Sequence, residues 1–196
     1  FGLLMAQAYL LINDRRLQDA IDCWTHAIQR RPQAAAPHCY IASNLANAGR
    51  HNEAVPYFER AVALAPGSGR FMYDAGNTYR RLGDLRQAIA MFDRARAILG
   101  EENAIQHNRA SCLQALGRDA DAVEEWTSLL RREPDWDWPL EGKARSLHRL
   151  GRADEAAPLW QRLDALSDSG WEGRKEQARE FVRSGHPELA QQALRG

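Results

Sequence analysis

The same residue types return along this chain at a fixed stride of 34. Gly49, Gly83, Gly117, Gly151 and Gly185 are each that far apart, as are Ala20, Ala54, Ala88, Ala122, Ala156 and Ala190. A small residue recurs at Ala8, Ala42, Gly76, Ala110, Ala144 and Ala178, and a large apolar one at Trp24, Phe58, Phe92, Trp126, Trp160 and Leu194. No stride needs an insertion or a deletion. A constant period of this length marks a helical repeat array, in which each unit buries its apolar face only against its neighbours. Such an array escapes the scaling by which 196 residues would form one or two globular domains.

The phases have a physical reading within each unit. Two helices that cross closely need small side chains where their backbones approach, and Ala8 with Ala20 or Ala42 with Ala54 supply such pairs. The large residue four positions beyond each alanine shares its helix face and fills the wedge toward the next unit. Each glycine falls where a first helix must stop, because glycine takes the left-handed conformation at a helix C-terminus cheaply. The spacing of Ile21, Trp24, Ala27 and Ile28, and of Val55, Phe58, Ala61 and Val62, is helical. Pro56 and Pro158 share one phase and are expected in the first turns of their helices, where a missing amide donor costs least. No stretch alternates with period two, so no strands are expected.

This pattern resembles the tetratricopeptide repeat, a helix–turn–helix unit of 34 residues. The resemblance covers the whole chain: five full repeats at 1–34, 35–68, 69–102, 103–136 and 137–170, and a partial sixth at 171–196, read as a single array. The second repeat carries the small–Gly–Ala–aromatic–Ala–Pro pattern most clearly, as Ala42, Gly49, Ala54, Phe58, Ala61 and Pro66. The closing proline recurs at Pro32 and Pro134 and gives way to Gly100 and Asp168. The tryptophan usual near a repeat's start is replaced by Leu4, His38, Met72, Gln106 and Leu140. The second small residue of helix B is Ala27, Ala61 and Ala95, then Leu129 and Leu163, which loosens the packing expected in the last two repeats. The resemblance implies an all-α, right-handed α-solenoid, with helices near positions 2–14 and 17–30 of each unit.

Composition narrows the partners. Hydrophobic residues at 44% and charged residues at 27% are ordinary for a soluble chain. With 26 basic against 26 acidic residues there is no net pull toward nucleic acid or an anionic membrane. Lys143 and Lys175 are the only lysines, and the arginine bias reads as a GC-rich bacterial genome rather than a phosphate-binding design. Cys23, Cys39 and Cys112 are odd in number and form no C-x-x-C, which suits a reducing, cytoplasmic compartment. No apolar run approaches a transmembrane span, and no signal-peptide pattern opens the chain. A start at Phe1 in phase with the first repeat suggests a piece of something longer. Helix B of the sixth unit is expected to stop after about two turns at Gly196.

No catalytic constellation stands out: there is no phosphate-binding glycine loop, H-E-x-x-H or nucleophile elbow. His26, His38, His51, His107, His148 and His186 fall on different repeats and faces. His38 and Cys39 are adjacent, so on a helix they diverge by about 100° rather than converge on a metal. No metal, cofactor or catalysis is expected, and the leading reading is a non-enzymatic scaffold that binds a protein or peptide. Two others stay open: the recognition arm of a larger enzyme such as a transferase, and a self-assembling structural protein, that is, a homo-oligomer.

Helix A lines the concave face in proteins that this chain resembles. The corresponding phases are Met5, Ala6, Tyr9 and Asn13 in the first repeat and Cys39, Tyr40, Ser43 and Asn47 in the second. The third gives Arg70, Tyr73, Asp74, Asn77 and Arg81, the fourth His107, Asn108 and Ser111, and the fifth Trp138, Glu141, Arg145 and Arg149. This mixture suits an extended peptide: amides can bond its backbone, aromatics cover its apolar side chains, and Arg145 can fork onto a carboxylate. The chaperone-adaptor branch of the family grips a C-terminal carboxylate with two asparagines and flanking cations. Asn77 and Asn108 match the asparagines, but Tyr73, Trp138 and Gly142 occupy the cation phases. The clamp is only half present, with Arg145 the nearest substitute cation, and the reading favoured over it is that the two asparagines hydrate a groove used by another segment.

Residues 133–139, Glu-Pro-Asp-Trp-Asp-Trp-Pro, are the least repeat-like stretch. Asp137 reads as an N-cap with Pro139 in the first turn that follows. Trp136 and Trp138 flank it, either as a binding hot spot or, for Trp136, as a plug for the looser packing around Leu129 and Leu163.

Overall fold

In a computed structural model the chain is all-α, with residues 1–166 and 171–183 described. Among these residues there are eleven helices and no strand: α1 (Gly2–Asn13), α2 (Leu17–Arg30), α3 (Ala35–Asn47), α4 (His51–Leu64), α5 (Gly69–Leu82), α6 (Leu85–Leu99), α7 (Asn103–Ala115), α8 (Asp119–Arg132), α9 (Asp137–Arg149), α10 (Ala153–Leu166) and α11 (Trp171–Arg183). Odd-numbered helices are the A helices of their repeats and even-numbered ones the B helices, within a residue or two of the expected positions. The sixth-repeat markers Gly185, Ala190 and Leu194, the closing position Asp168, and the short second helix expected up to Gly196 lie outside the described residues. The chain divides into two compact units, Phe1–Ile105 and Gln106–Gly196.

Each unit has the same packing logic. In the first, Ala8, Ala42, Ala20, Ala54 and Ala88 are completely buried, and Trp24, Phe58 and Phe92 fill the spaces between helices. In the second, Ala110, Ala144, Ala122 and Ala156 surround Trp126 and Trp160 in the same way. Leu129, standing where earlier repeats have alanine, is fully buried, whereas Leu163 is only partly so. In two repeats a glycine of an A helix faces a large B-helix residue: Gly76 at the small phase, and Gly142 two residues before that phase. A Cβ on Gly76 would stand 2.7 Å from the Phe92 ring, and one on Gly142 would stand 2.6 Å from the Trp126 indole.

The turn after each A helix needs one residue with positive φ. Gly83 caps α5 in the left-handed region at φ 81, its amide bonded to the Arg80 and Tyr79 carbonyls. The equivalent residue of the first repeat is Arg15, which takes φ 60 although it carries a Cβ. That conformation costs a non-glycine residue about 1–2 kcal/mol. Four B helices open on one further device: Arg16 pairs with Asp19, Arg50 with Glu53, Arg118 with Asp121 and Arg152 with Glu155, at 2.6–2.7 Å. In the third repeat Asp84 replaces the arginine and accepts instead from the Gln87 amide at 3.2 Å.

Two expectations need correction. Pro56 and Pro158 are not in first turns: α4 begins at His51 and α10 at Ala153, so each proline is the sixth helical residue. Each removes one interior amide donor, and both are exposed, so water can satisfy the carbonyl left over. Asp137 is not the N-cap of α9 but its first residue, with Trp136 at the cap. Its Oδ1 accepts the next amide, that of Trp138, at 2.8 Å.

Candidate functional site

In the first unit three A helices bring their groove phases together. Tyr9 of α1 meets Tyr40 of α3 edge-on, with centroids 5.1 Å apart, and both rings pack on Trp24. Burial, then the neighbouring Tyr40, pushes the Tyr9 phenol up. Tyr40 and Ser43 are half-buried, while Asn47 is exposed. Cys39 is buried and lies 3.9 Å from the Ser43 hydroxyl. Burial pushes its thiol up to about 11, with Ser43 opposing, so it is a small apolar filler at neutral pH rather than a nucleophile.

On α5, Arg70 donates to Asp74 at 3.1 Å and lies 5.8 Å from the Tyr73 ring centroid. Burial raises the Asp74 carboxyl, and the Arg70 hydrogen bond and charge work against it. Tyr73 contacts Phe92 at 6.0 Å, Asn77 is half-buried one turn on, and Arg81 is exposed. The face therefore holds an aromatic pair, a hydroxyl, amides and an ion pair of exposed Arg70 with half-buried Asp74. On the B-helix side of this unit lies a feature that the periodicity did not indicate. A cavity of about 350 Å³ opens between α4 and α6 over α5, lined by Phe58, Val62 and Met91, with Arg94 and the Tyr79–Glu59 hydrogen bond at its rim. Burial, then Glu59, pushes the Tyr79 phenol up to about 12.

In the second unit His107 sits at the centre of an aromatic group. Trp126 lies 5.3 Å from it edge-on, Trp136 is stacked at 5.9 Å and Trp138 is tilted at 5.4 Å. Trp136 packs on His107 and is half-buried, and Trp138 stays 62% exposed. Asn108 and Ser111 are half-buried on the same helix, Ser111 bonded to the His107 carbonyl at 3.0 Å. Gln114 ties α7 to α9 through the Gly142 carbonyl and the Ser146 hydroxyl, at 2.8 and 2.9 Å.

Arg145 has a different occupation from the ligand carboxylate expected of it. Its guanidinium is held by Glu141 one turn before it and by Glu176 of α11 at 2.5 Å. Burial raises the Glu141 carboxyl against the pull of Arg145. Glu176 is lowered: burial works upward, but Arg179, Arg145 and Arg183 together prevail. Arg149 reaches Asp119 at 3.6 Å and Glu180 at 3.8 Å, extending the network. A ligand carboxylate at Arg145 has to compete with two from its own chain. The sequence could not show this, because Glu176 is 31 residues away.

Among the described residues no group of three or more His, Cys, Asp or Glu is placed to hold a metal ion, and no helix is long and apolar enough to cross a membrane.

Helix pairs at a 34-residue period, alanines at the crossings and an A-helix face rich in aromatics and amides define a tetratricopeptide repeat scaffold. Residues 32–101 and 73–135 match two tetratricopeptide repeat profiles, and the chain belongs to that family. It is 37% identical over 82 residues to the TPR repeat-containing thioredoxin TTL4 of Arabidopsis thaliana, covering 42% of this chain and 12% of that protein. It is 26% identical over 212 residues to cellulose synthase operon protein C of Xanthomonas axonopodis pv. citri, covering 98% of this chain and 14% of that protein. The chain thus spans only about an eighth of the length of these relatives. Among solved structures, MamA superposes with a TM-score of 0.78 at 15% identity over 91% of this chain and 93% of MamA. YrrB, described as a TPR protein with an unusual peptide-binding site, superposes at 0.70 and 18% identity over 87% and 88%. At these identities the structures share the fold.

Proposed function

We propose that the chain is a non-enzymatic scaffold that holds an extended segment of a partner protein against its A-helix faces. The observation that carries this reading is the convergence of α1, α3 and α5 in the first unit, where Tyr9, Tyr40, Ser43, Arg70 and Asp74 meet on one partly exposed surface. The tyrosines can cover apolar side chains of a peptide. Ser43, Asn47 and Asn77 can bond its backbone, and Asp74 and Arg81 supply charges of both signs. In the second unit His107, Asn108, Ser111 and Trp138 offer similar chemistry. The peptide-binding site described for YrrB supports the same use of this fold.

The test starts with a partner captured by pull-down from the source organism, followed by calorimetry. If the asparagines bond the partner's backbone, Asn77→Ala and Asn108→Ala should each cost about 0.5–1.5 kcal/mol of binding. Tyr40→Ala should cost at least as much through lost contact area. Unchanged affinity in all three, with losses from Arg94→Ala beside the cavity between α4 and α6, would move the site to the B-helix side and refute this assignment.

A second reading rests on one observation: cellulose synthase operon protein C matches nearly the whole of this chain with only 14% of its own length. On that reading the repeats are the recognition arm of a longer protein. The complete reading frame decides it, an adjoining catalytic domain favouring the arm.

A further inference from the structure

We infer that the aromatic platform of the second unit is the seat for an arginine or lysine side chain of the partner segment. The inference rests on the proposal that the A-helix faces dock peptide, and it names what this part of the face selects. Trp138 is the most exposed tryptophan described, with His107 against it and Trp136 stacked on His107 in turn. A large indole left open to water at a docking face calls for a partner group that gains from covering it. Two ligand classes gain from an indole face, namely apolar groups and cations, and the surrounding charge decides between them.

Residues 133–142 hold four carboxylates, Glu133, Asp135, Asp137 and Glu141, with Arg131, Arg132 and Lys143 just outside the stretch. The Asp137 carboxylate is held at the first turn of the same helix, its Oδ1 accepting from the Trp138 backbone amide at 2.8 Å. Glu141 lies one turn along the same helix stripe as Trp138. Arg162 pairs with Asp135 at 2.6 Å, and Arg145 is held by Glu141 and Glu176, so of these carboxylates the one next to Trp138 in sequence, Asp137, is the one that no described arginine pairs. Among the described residues no arginine of the chain lies over the Trp138 ring. Those over Phe1 and Tyr73 are in the first unit. An incoming guanidinium would therefore find an exposed π face next to the Asp137 carboxylate, whereas an incoming carboxylate would meet that like charge. This polarity is opposite to that of a carboxylate clamp.

The experiment uses the full chain, labelled with ¹⁵N, and follows the Trp138 indole N–H resonance, assigned from its loss in Trp138→Ala. The probes are four blocked peptides, Gly-Gly-X-Gly-Gly with X as arginine, lysine, citrulline or glutamate, and cellohexaose. The arginine and lysine peptides should shift the Trp138 resonance, the citrulline isostere and the glutamate peptide much less. Binding followed through other resonances should weaken about five- to thirty-fold in Trp138→Ala. Asp137→Asn should weaken the arginine peptide more than the citrulline one, and raising salt should erase that difference. Circular dichroism of both variants should match wild type, since Trp138 is exposed. Equal response to arginine and citrulline overturns the inference, as does unchanged binding in Trp138→Ala. Cellohexaose shifting Trp138 where the arginine peptide does not would assign the platform to a carbohydrate. If these tests fail while Tyr40→Ala and Asn77→Ala still weaken a captured partner, the cation seat falls and the docking face stands. A partner held only through B-helix residues removes both.

Discussion

Replacing Gly142 by alanine sets two known effects against each other, and the structure says which one wins. In a helix interior the change normally stabilises by about 1 kcal/mol, because glycine has the greater backbone entropy to lose. Gly142 lies in the middle of α9, where that gain is available. A Cβ there, however, would stand 2.6 Å from Cε2, 2.8 Å from Cζ2 and 2.9 Å from Nε1 of Trp126. Three ring atoms inside van der Waals contact cannot be relieved by a small torsion. The ring is rigid, is 2% exposed and is braced by His107 at 5.3 Å. Overpacking of this kind costs about 1–3 kcal/mol. The net expectation is a loss of about 1 kcal/mol, the clash outweighing the propensity gain. Urea denaturation followed by circular dichroism measures it, and a Trp126→Leu background isolates the cause. With the indole gone, Gly142→Ala should reverse sign and stabilise by up to about 1 kcal/mol. A stabilised single variant, or the same loss in both backgrounds, would refute the claim that the Trp126 indole is what requires a glycine at position 142.

Other perturbations follow from the same geometry. Arg15→Gly should stabilise by about 0.5–1 kcal/mol, the relief of left-handed strain exceeding glycine's entropic disadvantage; a thermal melt no higher than wild type would contradict it. Arg145→Ala should destabilise by about 1–3 kcal/mol, because Glu141 and Glu176 lose their shared partner. Glu141, already raised by burial, then favours its protonated form further, so the deficit should shrink as pH falls from 7 toward 4; a pH-independent deficit would deny the ionic origin. Burial, then the Arg60 cation, lowers the pKa of His38, so its neutral form is favoured in the fold. Its contribution is complete above the unfolded value of about 6.5 and is lost as pH falls through the folded one, so His38→Gln should flatten that part of the stability–pH curve. With its thiol at about 11, Cys39 should react with a thiol reagent at pH 8 far more slowly than half-exposed Cys23; equal rates would show the site to be open.

The 34-residue period carried the fold by itself. Helix positions, the alanines at the crossings and the glycine turns are local or nearest-neighbour properties, so a repeated pattern states them without long-range knowledge. It also named the A-helix phases, and with them Tyr40, Asp74, His107 and Trp138. Where a repeat departed from the pattern, the period alone misplaced details by a turn or less, as for Pro56, Pro158 and Asp137, because a phase does not say where a helix begins. What required the tertiary structure was the state of each side chain once placed. Arg145 was expected to face a ligand, and Glu176 from the next repeat's helix occupies it. Cys39 shares a phase with groove residues yet is buried. Gly76 answers to Phe92 of its own repeat, and Gly142, outside the small phase, to Trp126 of the repeat before it. The grouping of His107 with three tryptophans, each 19 or more positions from it, and the cavity that α4, α5 and α6 line together, come from separate helices. Periodicity reports which face of a helix a residue occupies; burial, charge and ring contacts depend on what the neighbouring helices bring to that face, and only the packed chain decides that.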